Sequence, residues 1–170
     1  HDMTQVLFRM YMAFTATAFV IFFLCGMDFL GALNHALSTV SAGGFSTYNA
    51  SAAHFESPAV EAWMTFFMIL TGGNYGLYYQ AWQKGAHVLW RNTEFKAYLL
   101  IIAVAAALIG INLMDGFDVS AATALRYSSF QSASIATTGF VSADYDRWPS
   151  FSKGILLLLM ISGGLSLIHI

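Results

Sequence analysis

The sequence predicts an all-α membrane protein made of two consecutive helix, re-entrant loop, helix repeats. Three observations carry that expectation: an apolar, charge-poor composition, stretches long enough to span a bilayer, and a duplicated pattern around two Gly-Phe dipeptides. Of the 170 residues, 58% are hydrophobic and 9% charged, with a mean hydropathy of +0.63. Soluble domains use about 25% charged residues. The run at 10–25 (MYMAFTATAFVIFFLC) has no charge. Extended back to Val6 it supplies the ~20 residues a helix needs to cross ~30 Å of hydrocarbon. Further spans are expected at 59–77 and 97–114, and the apolar run 155–160 (ILLLLM) opens a fourth.

Other function classes are disfavoured by what the sequence holds. The net charge is −2 and no basic cluster forms a phosphate-tracking stripe, so no nucleic-acid partner is expected. Cys25 is the sole cysteine, which excludes a disulfide framework and a thiolate zinc site within the chain. His35, His54 and His87 lack metal-site spacing and read as structural. No G-x-S-x-G, HExxH or phosphate-binding Gly-Lys-Ser/Thr pattern occurs, so an enzyme is not expected. The opening HDMTQ has no signal-peptide pattern, and a start further upstream is expected. Residues 165–170 (LSLIHI) resemble one reading frame of a sequencing-library transposon adapter and read as a non-native tail, the alternative being a native continuation of the last apolar helix.

The repeat emerges when residues 35–45 (HALSTVSAGGF) are placed over 130–140 (FQSASIATTGF). Gly44-Phe45 and Gly139-Phe140 fall in register at an offset of 95. Pro58 over Pro149, and Gly72-Gly73 over Gly163-Gly164, follow at an offset of 91, so the second copy has the shorter loop. The expected organisation is a first unit at 1–77, a connection at 78–96 and a second unit at 97–164. In each unit a short segment, 30–40 or 124–135, is too brief to cross a bilayer and fits a helix that enters and turns back. Non-helical backbone at that depth must be buried in protein or line a water-filled cavity.

Charge placement orients the chain. One face collects Arg9, Lys84, Arg91 and Lys96 against Asp2 and Glu94, four basic to two acidic, a net of +2. The other collects Arg126, Arg147 and Lys153 against Asp28, Glu56, Glu61, Asp115, Asp118, Asp144 and Asp146, three to seven, a net of −4. The basic face, chiefly the connection, is expected in the cytoplasm. Arg126, inside a re-entrant helix, must reach water or a partner. Gly72, Gly73 and Gly76 are expected to be close-packing positions, and Asn74 to make an interhelical hydrogen bond.

The two loops have the make-up of a cation filter. A dehydrated cation needs oxygen ligands, and backbone carbonyls supply them without a buried counter-charge. Glycine permits the backbone angles and close approach this requires. The candidate filter residues are Ala42, Gly43, Gly44 and Phe45 in the first loop, and Thr137, Thr138, Gly139 and Phe140 in the second. Each aromatic is expected to pack behind the filter. The second loop matches the TVGYG filter of potassium channels as T-x-G-aromatic-x, whereas the first keeps only the Gly-aromatic pair. Asp144 and Asp146 are candidates for concentrating cations at an outer mouth.

The segments STVSAGGFSTYNAS (38–51), SIATTGFVSADYDRWP (134–149) and TGGNYGLYY (71–79) resemble the Trk/Ktr potassium transporter family, the first being closer to its TrkH branch. The resemblance covers nearly the whole chain and identifies the loops with the second and third pore loops. It implies a four-repeat, single-chain, potassium-channel-like pore, with Gly44 and Gly139 at the conserved filter glycine. It also implies K+ as the transported ion, no organic cofactor, a surrounding lipid bilayer and a homodimer coupled to a cytoplasmic nucleotide-binding regulatory subunit. The expected location is a bacterial inner membrane, spanned several times. The competing readings are a non-conducting membrane interaction subunit and an intramembrane hydrolase. The duplicated loop disfavours the hydrolase, because catalysis needs one asymmetric constellation.

Overall fold

A computed structural model describes residues 2–117 and 119–165. All its regular elements are helical: α1 Asp2–Leu24, α2 Phe29–Val40, α3 Pro58–Thr71, α4 Tyr75–Lys84, α5 His87–Arg91, α6 Thr93–Phe117, α7 Ala121–Thr137 and α8 Ser150–Leu165. Short 3-10 turns at Ser51–Phe55 and Tyr145–Arg147 follow the two loops. The triad α1, α2, α3 thus repeats as α6, α7, α8, with α4 and α5 between them. Residues 166–170 of the expected tail lie outside the described residues, as does Asp118 of the acidic face.

Side-chain chemistry fixes the helix starts. Asp28 caps α2 by accepting the Gly31 N–H at 3.1 Å, and Ser120 caps α7 by accepting from Thr123 N at 3.3 Å. Pro58 stands at the first position of α3, where a missing N–H costs nothing. Within α1 and α3 the threonine hydroxyls donate back to carbonyls one turn earlier, as in Thr15 to Tyr11 O at 2.9 Å, and so need no water.

Two helices, α1 over Thr4–Leu24 and α6 over Thr93–Phe117, are long and apolar enough to cross a membrane. Their outer faces carry exposed Phe8, Met12, Val20 and Phe23, and Leu100, Val104, Leu108 and Ile111. The inward faces form two clusters. Phe22, Met64, Phe67, Met68, Phe130 and Phe140 gather among α1, α2, α3 and α7, whereas Ile109, Leu113, Trp148, Leu156 and Leu159 gather among α6, α7 and α8.

The expected span at 59–77 is broken. Helix α3 ends at Thr71, and α4 begins only at Tyr75. Gly72 and Gly73 weaken helix continuation, and the Asn74 side chain accepts the Gly76 N–H at 2.8 Å, capping α4 rather than bonding another helix. Carbonyls freed at the end of α3 find tyrosine hydroxyls: Tyr78 donates to Leu70 O at 2.6 Å and Tyr98 to Ile69 O at 3.2 Å. Gly72 is a close-packing position as expected. A Cβ there would collide with Thr137 of α7 and Tyr98 of α6.

The two copies meet where α3 packs against α7. At that junction Arg126 finds a partner in Glu61 of α3, with Nε and Oε2 3.2 Å apart. The two atoms lie off the line of a hydrogen bond, so their attraction is coulombic. The guanidinium also donates to the Tyr127 hydroxyl at 2.9 Å. Glu61 is buried, its side chain 4% exposed against 31% for Arg126.

Removing one member of a buried ion pair leaves the other uncompensated, at a cost of 3–5 kcal/mol when both are fully buried. Partial exposure of Arg126 reduces this, so Glu61→Ala is expected to destabilise by about 2 kcal/mol, with the Glu61→Ala/Arg126→Ala pair recovering part of the loss. A double-mutant cycle of thermal unfolding in detergent checks it. Asp28 sets an acid limit. Its carboxylate accepts from the Tyr48 hydroxyl and from Gly31 N–H, which holds its pKa below 3.8. A folded pKa below the unfolded one means stabilisation present above about 4 and lost as pH falls through the folded value. Unfolding temperatures measured from neutral pH to about pH 3 are expected to fall less steeply for Asp28→Asn.

Candidate functional site

The first loop leaves α2 through a helix stop that returns its N–H groups to the helix. Ala42 N donates to Thr39 O at 3.2 Å and Gly43 N to Ser38 O at 2.8 Å, the paired bonds of a Schellman cap. The left-handed position of that cap, normally glycine, is held by Ala42 at φ +56°. Gly44 follows at φ +69°. Phe45 N then donates to the Ser38 hydroxyl at 2.5 Å, while Asn34 Nδ2 donates to Phe45 O at 3.0 Å.

The second loop reaches a similar result by other bonds. Thr138 N and Gly139 N both donate to Ser134 O, at 2.8 and 2.7 Å, and Gly139 takes the left-handed angle at φ +89°. The Ser134 hydroxyl donates to Phe140 O at 2.6 Å, the reverse of the role Ser38 plays toward Phe45. Thr138 Oγ1 lies 2.9 Å from Met68 Sδ of α3, and the Thr137 hydroxyl donates to Ala133 O at 2.7 Å.

The loops abut. A Cβ on Gly44 would run into the Thr138 carbonyl oxygen, so glycine is required there by space as well as by angle. At Gly139 the same atom would meet nothing within 4 Å. Val141 N donates to the Ser51 hydroxyl at 3.2 Å, and Ala53 N to Val141 O at 3.0 Å, joining the second loop to the turn after the first. Among the described residues no hydrogen bond reaches the carbonyl oxygens of Ala42, Gly43, Gly44, Thr138 or Gly139. The pattern leaves unpaired acceptors on two adjoining strands of irregular backbone, an arrangement able to ligate a cation.

The aromatic residues do not behave alike. Phe140 is fully buried, as expected, and stacks on His35 of α2 with ring centroids 5.6 Å apart. Phe45 is 74% exposed, contrary to the expectation that it packs behind its loop. Phe140 is covered by α2, the short helix of the other copy, whereas Phe45 lies on an open face of the described residues.

The acidic candidates are partly neutralised. Asp144 pairs with Arg147 at 3.0 Å, and Lys153 donates to the main-chain carbonyl of Asp146 at 3.0 Å. Between 144 and 153 two acidic and two basic side chains balance, which reduces the field these two carboxylates can offer cations. Sequence reasoning missed the linking roles of Ser38, Ser134 and Ser51. A signal existed in the first two, because each copy places a serine in the last turn of its short helix.

The sequence matches the family described as "TrkH: Cation transport protein" over residues 1–168. It is 32% identical to a Trk system potassium uptake protein TrkH of Salmonella typhimurium, the alignment covering 96% of this chain and 34% of that protein. It is 30% identical to the protein of the same name in Halomonas elongata, covering 97% and 35%. The fold matches the crystal structure of the potassium transporter TrkH from Vibrio parahaemolyticus with a TM-score of 0.88 and 29% identity, over 93% of this chain and 35% of that one. The chain therefore spans about a third of the length of the relatives it matches. With a family match along almost its whole length and a shared fold of helices and re-entrant loops, this chain belongs to the TrkH cation transport protein family.

Proposed function

We propose that this chain supplies two of the four pore loops through which a longer protein takes up potassium. The observation that carries the reading is the pair of abutting loops whose N–H groups turn back into α2 and α7 while five carbonyl oxygens stay unpaired. A selective cation site needs such oxygens to replace water. The filter would comprise Ala42 to Phe45 and Thr137 to Phe140, with its other half on repeats outside this chain. Units 1–77 and 97–164 would then be the second and third repeats, joined on the cytoplasmic side by 78–96.

The names of the relatives, Trk system potassium uptake proteins, support K+ as the transported ion. In this reading the protein crosses a bacterial inner membrane several times, contacts lipid, dimerises and responds to a cytoplasmic nucleotide-binding regulatory subunit. It needs no organic cofactor. The outer-mouth role of Asp144 and Asp146 is weak here because Arg147 and Lys153 offset their charge.

The test uses the full-length gene in a bacterium lacking potassium uptake, grown at low external potassium. Rescue by the unsubstituted gene is expected. Left-handed backbone costs a non-glycine residue about 1–2 kcal/mol, so Gly139→Ala is expected to weaken uptake by roughly tenfold. Gly44→Ala adds a collision with Thr138 and is expected to abolish it. Failure of the intact gene to rescue, or rescue indifferent to both substitutions, contradicts the reading.

A further inference from the structure

We propose that His35 is a positioning residue that couples the two filter loops, so that the spacing of their carbonyl oxygens and the preference for potassium depend on its imidazole. The inference rests on the filter reading above. Its basis is that one fully buried ring in α2 touches both loops at once. Nδ1 lies 2.7 Å from Gly31 O, a carbonyl that can only accept, so Nδ1 carries the proton. In the neutral ring Nε2 is therefore an acceptor, and the Ser46 hydroxyl 2.9 Å away must donate to it. Ser46 Oγ in turn accepts Tyr48 N–H at 3.1 Å. That chain fixes the residue immediately after Phe45, two positions from Gly44.

The flat of the same ring lies against Phe140, the residue after Gly139, at 5.6 Å and 22°. Phe55 closes its edge at 5.2 Å, and Tyr48 stacks at 6.1 Å. A displacement of the imidazole thus moves the flank of the first loop through a hydrogen bond and that of the second through ring contact. At the offset of 95 the second copy holds Phe130 in place of His35, and Phe130 is also fully buried. An aromatic shape is therefore accommodated at this point of the repeat. What histidine adds is an acceptor for Ser46 and a donor to Gly31 O.

That comparison supplies a variant designed to fold. His35→Phe keeps ring contact with Phe140 and loses the bonds to Ser46 and Gly31 O, whereas Ser46→Ala removes the shared bond from the other side together with the acceptor of Tyr48 N–H. In the full-length protein, potassium uptake would be measured against sodium competition, with membrane abundance followed by immunoblot. Each variant is expected at normal abundance with an apparent KM for potassium raised, and potassium-over-sodium preference lowered, by up to about tenfold, the scale of one hydrogen bond. Because one bond is shared, the double variant should fall short of the product of the two single effects. Unchanged KM and preference in both variants, or effects that multiply in the double, would overturn the proposal. Should His35→Phe be missing from the membrane, Ser46→Ala alone decides between the two outcomes by the same readouts. Absence of potassium uptake by the unsubstituted protein would instead defeat the filter reading.

Discussion

Irregular backbone inside a membrane is tolerable only where its peptide groups have somewhere to go. In this chain the donors and the acceptors go in opposite directions. The N–H groups of Ala42, Gly43, Thr138 and Gly139 return to the ends of α2 and α7, and Ser38 takes the N–H of Phe45. Among the described residues the carbonyl oxygens of Ala42, Gly43, Gly44, Thr138 and Gly139 are left over. The separation follows from helix termini, which turn back on themselves by donating N–H groups to their own last carbonyls. Two short helices, each stopped by a left-handed residue, therefore present acceptors without any charged side chain being committed to the site.

Everything around the loops serves to hold them together. Helix α3 brings Met68 to Thr138 and, through the absent side chain of Gly72, lets Thr137 approach. Glu61 and Arg126 anchor α3 to α7 at the opposite end of that contact, within a largely apolar surround. Small residues at Ala32, Ala36 and Ala133 allow α2 and α7 to sit close to the aromatic cluster behind the loops. The two copies are similar without being equal. The first loop reaches its turn through Ala42 at a left-handed angle, and the second through Gly139.

Much of this architecture could be read from the residues because the signals were periodic or duplicated. Spans at α1 and α6, the short helices α2 and α7 and the paired Gly-Phe register all depend on local composition and spacing. Contacts between copies were not legible, since nothing in the order of residues says that Glu61 meets Arg126 across 65 positions. The break at Gly72 to Asn74 was hidden by the apolar residues on either side, which extend a hydropathy window through a capping residue. The exposure of Phe45 was hidden for a different reason: the shared Gly-Phe pattern implies the same surroundings for both aromatics, yet only Phe140 meets a helix of the other copy. His35 looked like an ordinary core histidine until the fold placed Ser46 and Phe140 on its two sides.

Rubidium, a heavy stand-in for potassium, offers the most direct measurement. Crystals of the full-length protein soaked with it should show anomalous density between the carbonyl oxygens of Gly43 and Gly44 and those of Thr138 and Gly139. Well-ordered loops with no rubidium beside them, or with those oxygens turned toward lipid, would contradict the account.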